Sequence, residues 1–324
     1  MKTPSPLRGL RALVPVLLLL VVPAAVRADN LFVSDYGNHT VVKIDSSGVG
    51  TVFISSITNP AGLAFDSLGN LYVANANSNL IEKFSSTGTD LGVFASTGMN
   101  NPAAMVFDGS GNLYVANRAI NTVEKFSSAG TDLGVFADAS DGLSIPTGLA
   151  FDASGKLYVS TTGSGPSIHV FTGAHTGSLY ASTSDGLSQP VGMAFDSSGN
   201  LYVANNNSPG NTIEKFTAPH TGATFASTGL TLPWGLAFDS AGNLYASNEA
   251  TFTVEKFNSA GVDQGVYADG GDGLNHPLFI AFASVPEPST WALLAGGFGS
   301  LIAFRRRRRQ TPTLHGAAGA RANS

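Results

Sequence analysis

The chain has 324 residues, of which only 12% are charged while 38 are glycine, a balance that disfavours a helical bundle and favours turn-rich all-β structure. It contains no cysteine, which excludes disulfides, thiolate metal sites and a cysteine nucleophile. The formal net charge of −5 hides an asymmetry: residues 29–284 hold 7 basic and 21 acidic side chains, a net of −14, and so acidic a body argues against nucleic acid as a partner.

The first 28 residues read as a signal peptide for the Sec export machinery. Lys2, Arg8 and Arg11 precede the apolar run ALVPVLLLLVVPAA, and Val26 and Ala28 fit the small-residue cleavage rule, which puts the mature start near Asp29. From there one unit repeats along the chain. The Leu-Tyr pairs at 71, 113, 157, 201 and 244 stand 42, 44, 44 and 43 residues apart, inside the range of four-stranded propeller blades.

Each unit divides into four short β-like runs separated by turn residues. In the copy from Pro60 these are GLAFD, LYVAN, LIEKF and LGVFA. The first is small and apolar, as an innermost strand must be where all blades converge. The third is more polar and belongs farther from the axis. The two ends complement each other: the chain enters at NLFVSDYGNHTVVKIDSSGVGTVFIS, which lacks a first strand, and leaves at HPLFIAFASV, which supplies one. The expected fold is therefore an all-β, six-bladed β-propeller of four-stranded blades over residues 29–284, its last blade closed by the N- and C-terminal strands, with no free sheet edge at the seam. The pattern PxGLAFDSxGNLYVAN…NTVEKF, and DYGNHTVVKID at residues 35–45, resembles the NHL repeat, with overlap toward YVTN-type propeller repeats.

Repetition separates scaffold from candidate site. Asp66, Asp108, Asp152, Asp196 and Asp239 recur in D-x-x-G-N/K and read as hairpin-turn residues, because the further ligands of a calcium loop are missing. Asn75, Asn117, Asn205 and Asn248 read as caps of the loop after strand two. The Glu-Lys pairs at 82/83, 124/125, 214/215 and 255/256 recur too regularly for catalysis and read as solvated decoration of strand three. The variable residues gather in the loops joining strands two and three and in those leading into strand one, so a binding surface belongs on that face. Trp234, whose equivalents Ala61, Ala103, Thr147, Val191 and Leu278 are mostly small, reads either as a stacking platform or as a plug of the central channel. Arg118, Asn206, Asn207 and Glu249 are the further candidates for ligand contact.

No catalytic residues, resident metal or cofactor are expected, although Asp141, Asp185, Asp269 and Asp272 in the long loops could gather a surface calcium. A calcium-dependent lactonase of the gluconolactonase or SMP-30 type resembles this architecture, but that chemistry needs several oxygen ligands on the axis, where the ring is nearly all apolar. The sequence shows no H-E-x-x-H, G-x-S-x-G, Walker or dinucleotide-binding motif.

Residues 285–309 follow the closed ring. Val285-Pro286-Glu287-Pro288-Ser289 precedes the uncharged run 290–304 and the basic cluster Arg305, Arg306, Arg307, Arg308 and Arg309. A helix over that run spans only about 22 Å, short for a bilayer core of roughly 30 Å, so a transmembrane helix here needs help from its flanks. The arginines would stay cytoplasmic, with the propeller outside. The three parts in this order resemble the PEP-CTERM sorting signal of certain bacteria, which implies processing by an exosortase-type enzyme near the Pro-Glu-Pro motif and export associated with exopolysaccharide. Residues 310–324 read as a disordered tail. The expected protein is thus exported, held at the membrane through its C-terminal helix and delivered to the cell surface or extracellular matrix. There it would bind a polysaccharide or a protein. A lactonase-like hydrolase and a purely structural matrix component are the alternatives.

Overall fold

A computed structural model describes residues 29–207 and 210–283. The expected signal peptide (residues 1–28), the sorting segment with the transmembrane helix expected of it (285–309) and the tail (310–324) lie outside the described residues. Among the described residues no helix is long and apolar enough to cross a membrane.

The chain forms six antiparallel four-stranded sheets, the blades of a propeller. Their innermost strands are Pro60–Phe65, Pro102–Phe107, Pro146–Phe151, Pro190–Phe195, Pro233–Phe238 and Pro277–Phe282, and we number the blades I to VI in that order. In blades I to V the strands follow one another from the axis outward. Blade VI is assembled from both ends of the propeller: the last strand pairs with Leu31–Asp35, in the register Leu31 to Phe282, Phe32 to Ala281 and Val33 to Ile280. The expected closure is thus present. Every second strand is buried along its whole length, whereas most of the outermost strands face solvent. The outer edges of blades I, II and V are interrupted at Gly92, Gly134 and Gly265, which take φ near +90° beside an N–H accepted by the preceding Asp. Such kinks make an edge a poor template for another strand.

The core lies between neighbouring blades and repeats six times. An aromatic ring on each second strand sits edge-on against the fourth-strand ring of its own blade and the first-strand ring of the next. Tyr72 packs this way between Phe94 and Phe107, and Tyr245 between Tyr267 and Phe282, with ring centroids 4.8–5.1 Å apart. Edge-to-face geometry adds to the burial energy of each ring. The tyrosine hydroxyls also donate to the Asp of the first hairpin, as Tyr72 does to Asp66 at 3.2 Å and Tyr245 to Asp239 at 3.2 Å. Blade VI has no such hairpin, because its first strand comes from the other end of the propeller. There the position is Phe32, packed between Phe53 and Phe65.

The recurring aspartates are turn residues, as expected. Asp66 Oδ1 accepts the N–H groups of Leu68 and Asn70, Oδ2 accepts from Asn70 Nδ2, and Gly69 takes φ +81°. Burial raises the pKa of such a carboxyl, but these hydrogen bonds outweigh it and hold Asp66, Asp108, Asp152 and Asp196 below their ordinary value.

The Glu-Lys pairs differ from the solvated decoration expected of them. Lys83, Lys125, Lys215 and Lys256 lie over the rings of Tyr72, Tyr114, Tyr202 and Tyr245 at 4.8–5.2 Å, and Lys83 also reaches Asp66 at 3.5 Å. Glu124, Glu214 and Glu255 are buried. Burial, then the neighbouring fourth-strand aspartates, push the Glu82, Glu124 and Glu255 carboxyls upward, Glu124 to about 7. In blade IV Glu214 instead accepts from Thr224 Oγ1 at 3.0 Å.

Where the inner strands converge there is no room for side chains. A Cβ on Gly62, Gly148 or Gly192 would run into the carbonyl oxygen of Ala103, Val191 or Trp234 on the next blade. The backbone groups freed there need partners. In blades III, V and VI a second-strand serine serves: Ser160 Oγ accepts from Gly148 N–H and donates to Val191 O at 2.7 Å, Ser247 Oγ accepts from Gly235 N–H and donates to Leu278 O, and Ser34 bridges the N–H and carbonyl of Phe279.

Candidate functional site

The loops that lead into strand one and those that follow strand two adjoin each other on one face, because the same tie recurs in every blade. The residue after strand two donates its N–H to the carbonyl of the residue before the strand-one proline, as in Arg118 to Asn101 at 3.2 Å and Glu249 to Leu232 at 3.1 Å. All six pre-proline residues, Asn59, Asn101, Ile145, Gln189, Leu232 and His276, take positive φ near +50° to +63°. This left-handed kink turns the chain into the channel wall.

The recurring asparagines hold the same join. Asn117, Asn205 and Asn248 accept from the N–H of Asn100, Ser188 and Thr231, and they donate to the carbonyls of Gly98, Gly186 and Gly229. They thereby brace the loop into strand one, and by also donating to Thr122, Thr212 and Thr253 at 2.9–3.2 Å they close the loop after strand two, as expected. In blade VI the position is Asp35, which accepts from Asn275 N–H at 2.8 Å; burial nevertheless raises its pKa.

The aspartates considered for surface calcium are already engaged. Asp141, Asp185 and Asp272 close short 3-10 turns through capping boxes, and Asp269 caps the last of them. Asp141 and Asp185 also meet His175 and His220 of the next blade at 2.7 and 2.8 Å, and Gly50 N–H donates to Asp272 at 3.1 Å. These contacts latch neighbouring blades at the rim. Among the described residues, Asp138, Asp141 and His175 form one group whose ligand atoms lie within 4.8 Å of one another.

Two tiers of side chains line the channel mouth. The deeper tier is Ala61, Ala103, Thr147, Val191, Trp234 and Leu278; the tier above, one residue past each second strand, is Tyr36, Ala76, Arg118, Thr162, Asn206 and Glu249. Between them lies a cavity of about 170 Å³, lined by Tyr36, Asn101, Arg118, Trp234, Glu249 and Phe279 among others. Three of the sequence candidates, Arg118, Trp234 and Glu249, thus come together from blades II and V. Asn206 lies beside them and donates to the Pro233 carbonyl at 3.3 Å, whereas Asn207 turns away to Ser188 at 2.7 Å. Tyr36 and Asn101 are additions that sequence reasoning missed. Tyr36 stands out as the one aromatic at its repeat position, a signal of the same kind that singled out Trp234.

Trp234 is wedged edge-on against Phe279, with centroids 6.2 Å apart, and the Arg118 guanidinium lies over its ring at 5.8 Å. Burial lowers the Arg118 pKa, opposed by the charge of Glu249, which stands beyond ion-pair distance. Arg118 Nε and Trp234 Nε1 are buried N–H groups with no hydrogen-bond partner among the described residues. Two larger hollows, of about 270 and 430 Å³, lie between neighbouring blades and are walled by repeated scaffold residues such as Lys125, Phe136, Asp196 and Asp239.

The comparisons with known proteins agree with this anatomy. The fold is a six-bladed propeller, and residues 284–309 carry the PEP-CTERM protein-sorting motif, which includes Pro286, Glu287, Pro288 and Arg305 to Arg309. A chain of the crystal structure of a nidogen/laminin complex is similar in fold, with TM-score 0.68 and 18% identity over 79% of this chain and 98% of that one. A gluconolactonase from Xanthomonas campestris aligns with TM-score 0.55 and 19% identity over 64% of this chain and 75% of that one. At these identities the likeness is one of architecture. No curated protein matches the sequence.

Proposed function

We propose that the chain is an exported, NHL-like propeller that works as a binding protein at the cell surface or in the extracellular matrix. Its sorting motif implies handling by an exosortase-type enzyme, and the leader implies Sec export. On this reading the C-terminal segment holds the protein at the membrane until processing releases the propeller. Ring closure at Phe282 supports this, because it leaves nothing of the propeller downstream of the motif. The variable loop face takes the ligand, a polysaccharide or a protein.

The observation that carries the binding reading is the convergence of Trp234, Arg118 and Glu249 on one cavity, each at a position where most other blades place a smaller or uncharged residue. A calcium-dependent hydrolase would need several oxygen ligands converging on the axis; the deeper tier offers a single hydroxyl, Thr147, which already donates to Ile145 O at 3.0 Å, and the tier above offers one carboxylate, Glu249, beside the Arg118 cation.

The test is glycan and protein-partner profiling of residues 29–284, with and without calcium. Saturable binding is expected, weakened at least tenfold by Trp234→Ala; binding indifferent to that change removes the channel mouth from the site. For the sorting step, mass spectrometry of protein recovered from the cell surface is expected to find the apolar segment 290–304 absent. An intact C-terminus there would sink the processing claim.

A further inference from the structure

We propose that the channel-mouth cavity holds a single small carboxylate of hexose size, and specifically a uronic acid unit, gripped by Arg118. The inference rests on the binding reading above and gives its site a ligand class.

Arg118 is the one arginine in residues 29–284, a region whose net charge is −14. Four of the six lysines of that region lie over tyrosine rings of the scaffold, remote from this cavity. The propeller therefore places its sole guanidinium at the channel mouth, half-buried on the Trp234 ring, with no carboxylate within ion-pair distance. Desolvating a cation without a partner is costly, and a planar guanidinium is suited to the two oxygens of a carboxylate. The neighbouring indole N–H likewise lacks an acceptor. Both groups are donors, so a ligand that engages them brings acceptors.

Size and surroundings narrow the class. A cavity of about 170 Å³ admits one six-membered sugar ring and little more. Asn101, Glu249 and the Tyr36 hydroxyl supply both acceptor and donor capacity for ring hydroxyls, while Ala61, Ala103 and Leu278 form an apolar floor. Asp141, Asp185, Asp269 and Asp272 stand on the loops leading into strand one. Their charge disfavours a long polyanion lying across the face and favours one carboxylate inserted end-on. Glu249 faces Arg118 and sets the affinity by competing for the same cation.

The experiment follows Trp234 fluorescence in the full-length chain in mild detergent, with Trp291→Phe to leave one reporter, titrated at low ionic strength with glucuronate, with glucose and with an acidic dipeptide. Saturable quenching or enhancement by glucuronate is expected, with glucose at least tenfold weaker. Arg118→Gln should lose tenfold or more in affinity with an unchanged melting temperature, and Arg118→Lys should fall between. Glu249→Gln should bind several-fold more tightly. The proposal is overturned if glucuronate leaves Trp234 unchanged, if glucose binds as well, if Arg118→Gln keeps its affinity within threefold, or if the dipeptide binds tenfold more tightly than glucuronate. A ligand found by profiling that depends on Trp234 but lacks a carboxylate would end this proposal and leave the binding reading standing.

Discussion

A chain ending at residue 276 is expected not to fold cooperatively, whereas one ending at 284 gives a single sharp thermal transition. The lost strand pairs with Leu31–Asp35 and carries Leu278, Phe279, Ile280 and Phe282 into the interfaces with blades V and I. Burying four large apolar side chains is worth roughly 6–12 kcal/mol at 1.5–3 kcal/mol each, which is comparable to the whole stability of a typical domain, about 5–15 kcal/mol. Its removal also strips the partners of Ser34 and leaves the edge of Leu31–Asp35 unpaired. A milder form of the same test is Phe282→Ala, which deletes the ring packed on Tyr245 at 5.1 Å. It should cost about 3 kcal/mol, or roughly 6–12 °C in Tm for a domain of this size. Equal melting curves for the two chain lengths, measured by circular dichroism, would show that the terminal strand does not hold the ring shut.

Most of this fold is legible in the sequence because each blade repeats its demands. The inner strands must be small, the second strands apolar on both faces, and the hairpins must supply Asp and Gly; all three recur at one spacing. Even the exception is readable afterwards, since Phe32 replaces tyrosine where the closing blade has no hairpin aspartate to receive a hydroxyl. The site is legible only in part. Arg118, Trp234 and Glu249 break the repeat pattern and so stand out, but their meeting depends on Trp234 being wedged against Phe279 from the far end of the chain. Asn207 does not join them: its side chain reaches back to Ser188 on its own blade. The buried glutamates were missed for a different reason. On a solvent-facing third strand E-K looks like surface, and nothing local announces that the loop of Gly98 folds over Glu124: a Cβ at residue 98 would lie 3.0 Å from its carboxyl carbon.

That cover gives Glu124 the second large effect, a stability that falls as pH rises through neutrality. Glu124 is 4% exposed, and burial, then the charge of Asp132 beside it, lift its carboxyl to about 7. The folded state therefore binds this proton more tightly than the unfolded chain, whose glutamate titrates near 4.5. Below that value both states are protonated and the group contributes no pH dependence. Between about 4.5 and 7 the folded state holds the extra proton and stability drops with rising pH; above about 7 the full penalty is present. Glu82 and Glu255, raised by burial and by Asp90 and Asp263, act in the same direction. The hairpin aspartates act oppositely and in a different window, since their lowered values add stability that is lost only as pH falls below about 4. The two sets separate cleanly on the pH axis. Glu124→Gln keeps the shape and removes the charge, so it should be close to neutral at pH 4.5 and stabilising by about 1–2 kcal/mol at pH 8, after discounting for solvent screening. Paired urea melts of the two proteins from pH 4 to 8 give the difference directly. A difference that does not grow between pH 5 and 7.5 would mean that Glu124 is ionised in the folded protein throughout, with Asp132 or water accommodating its charge.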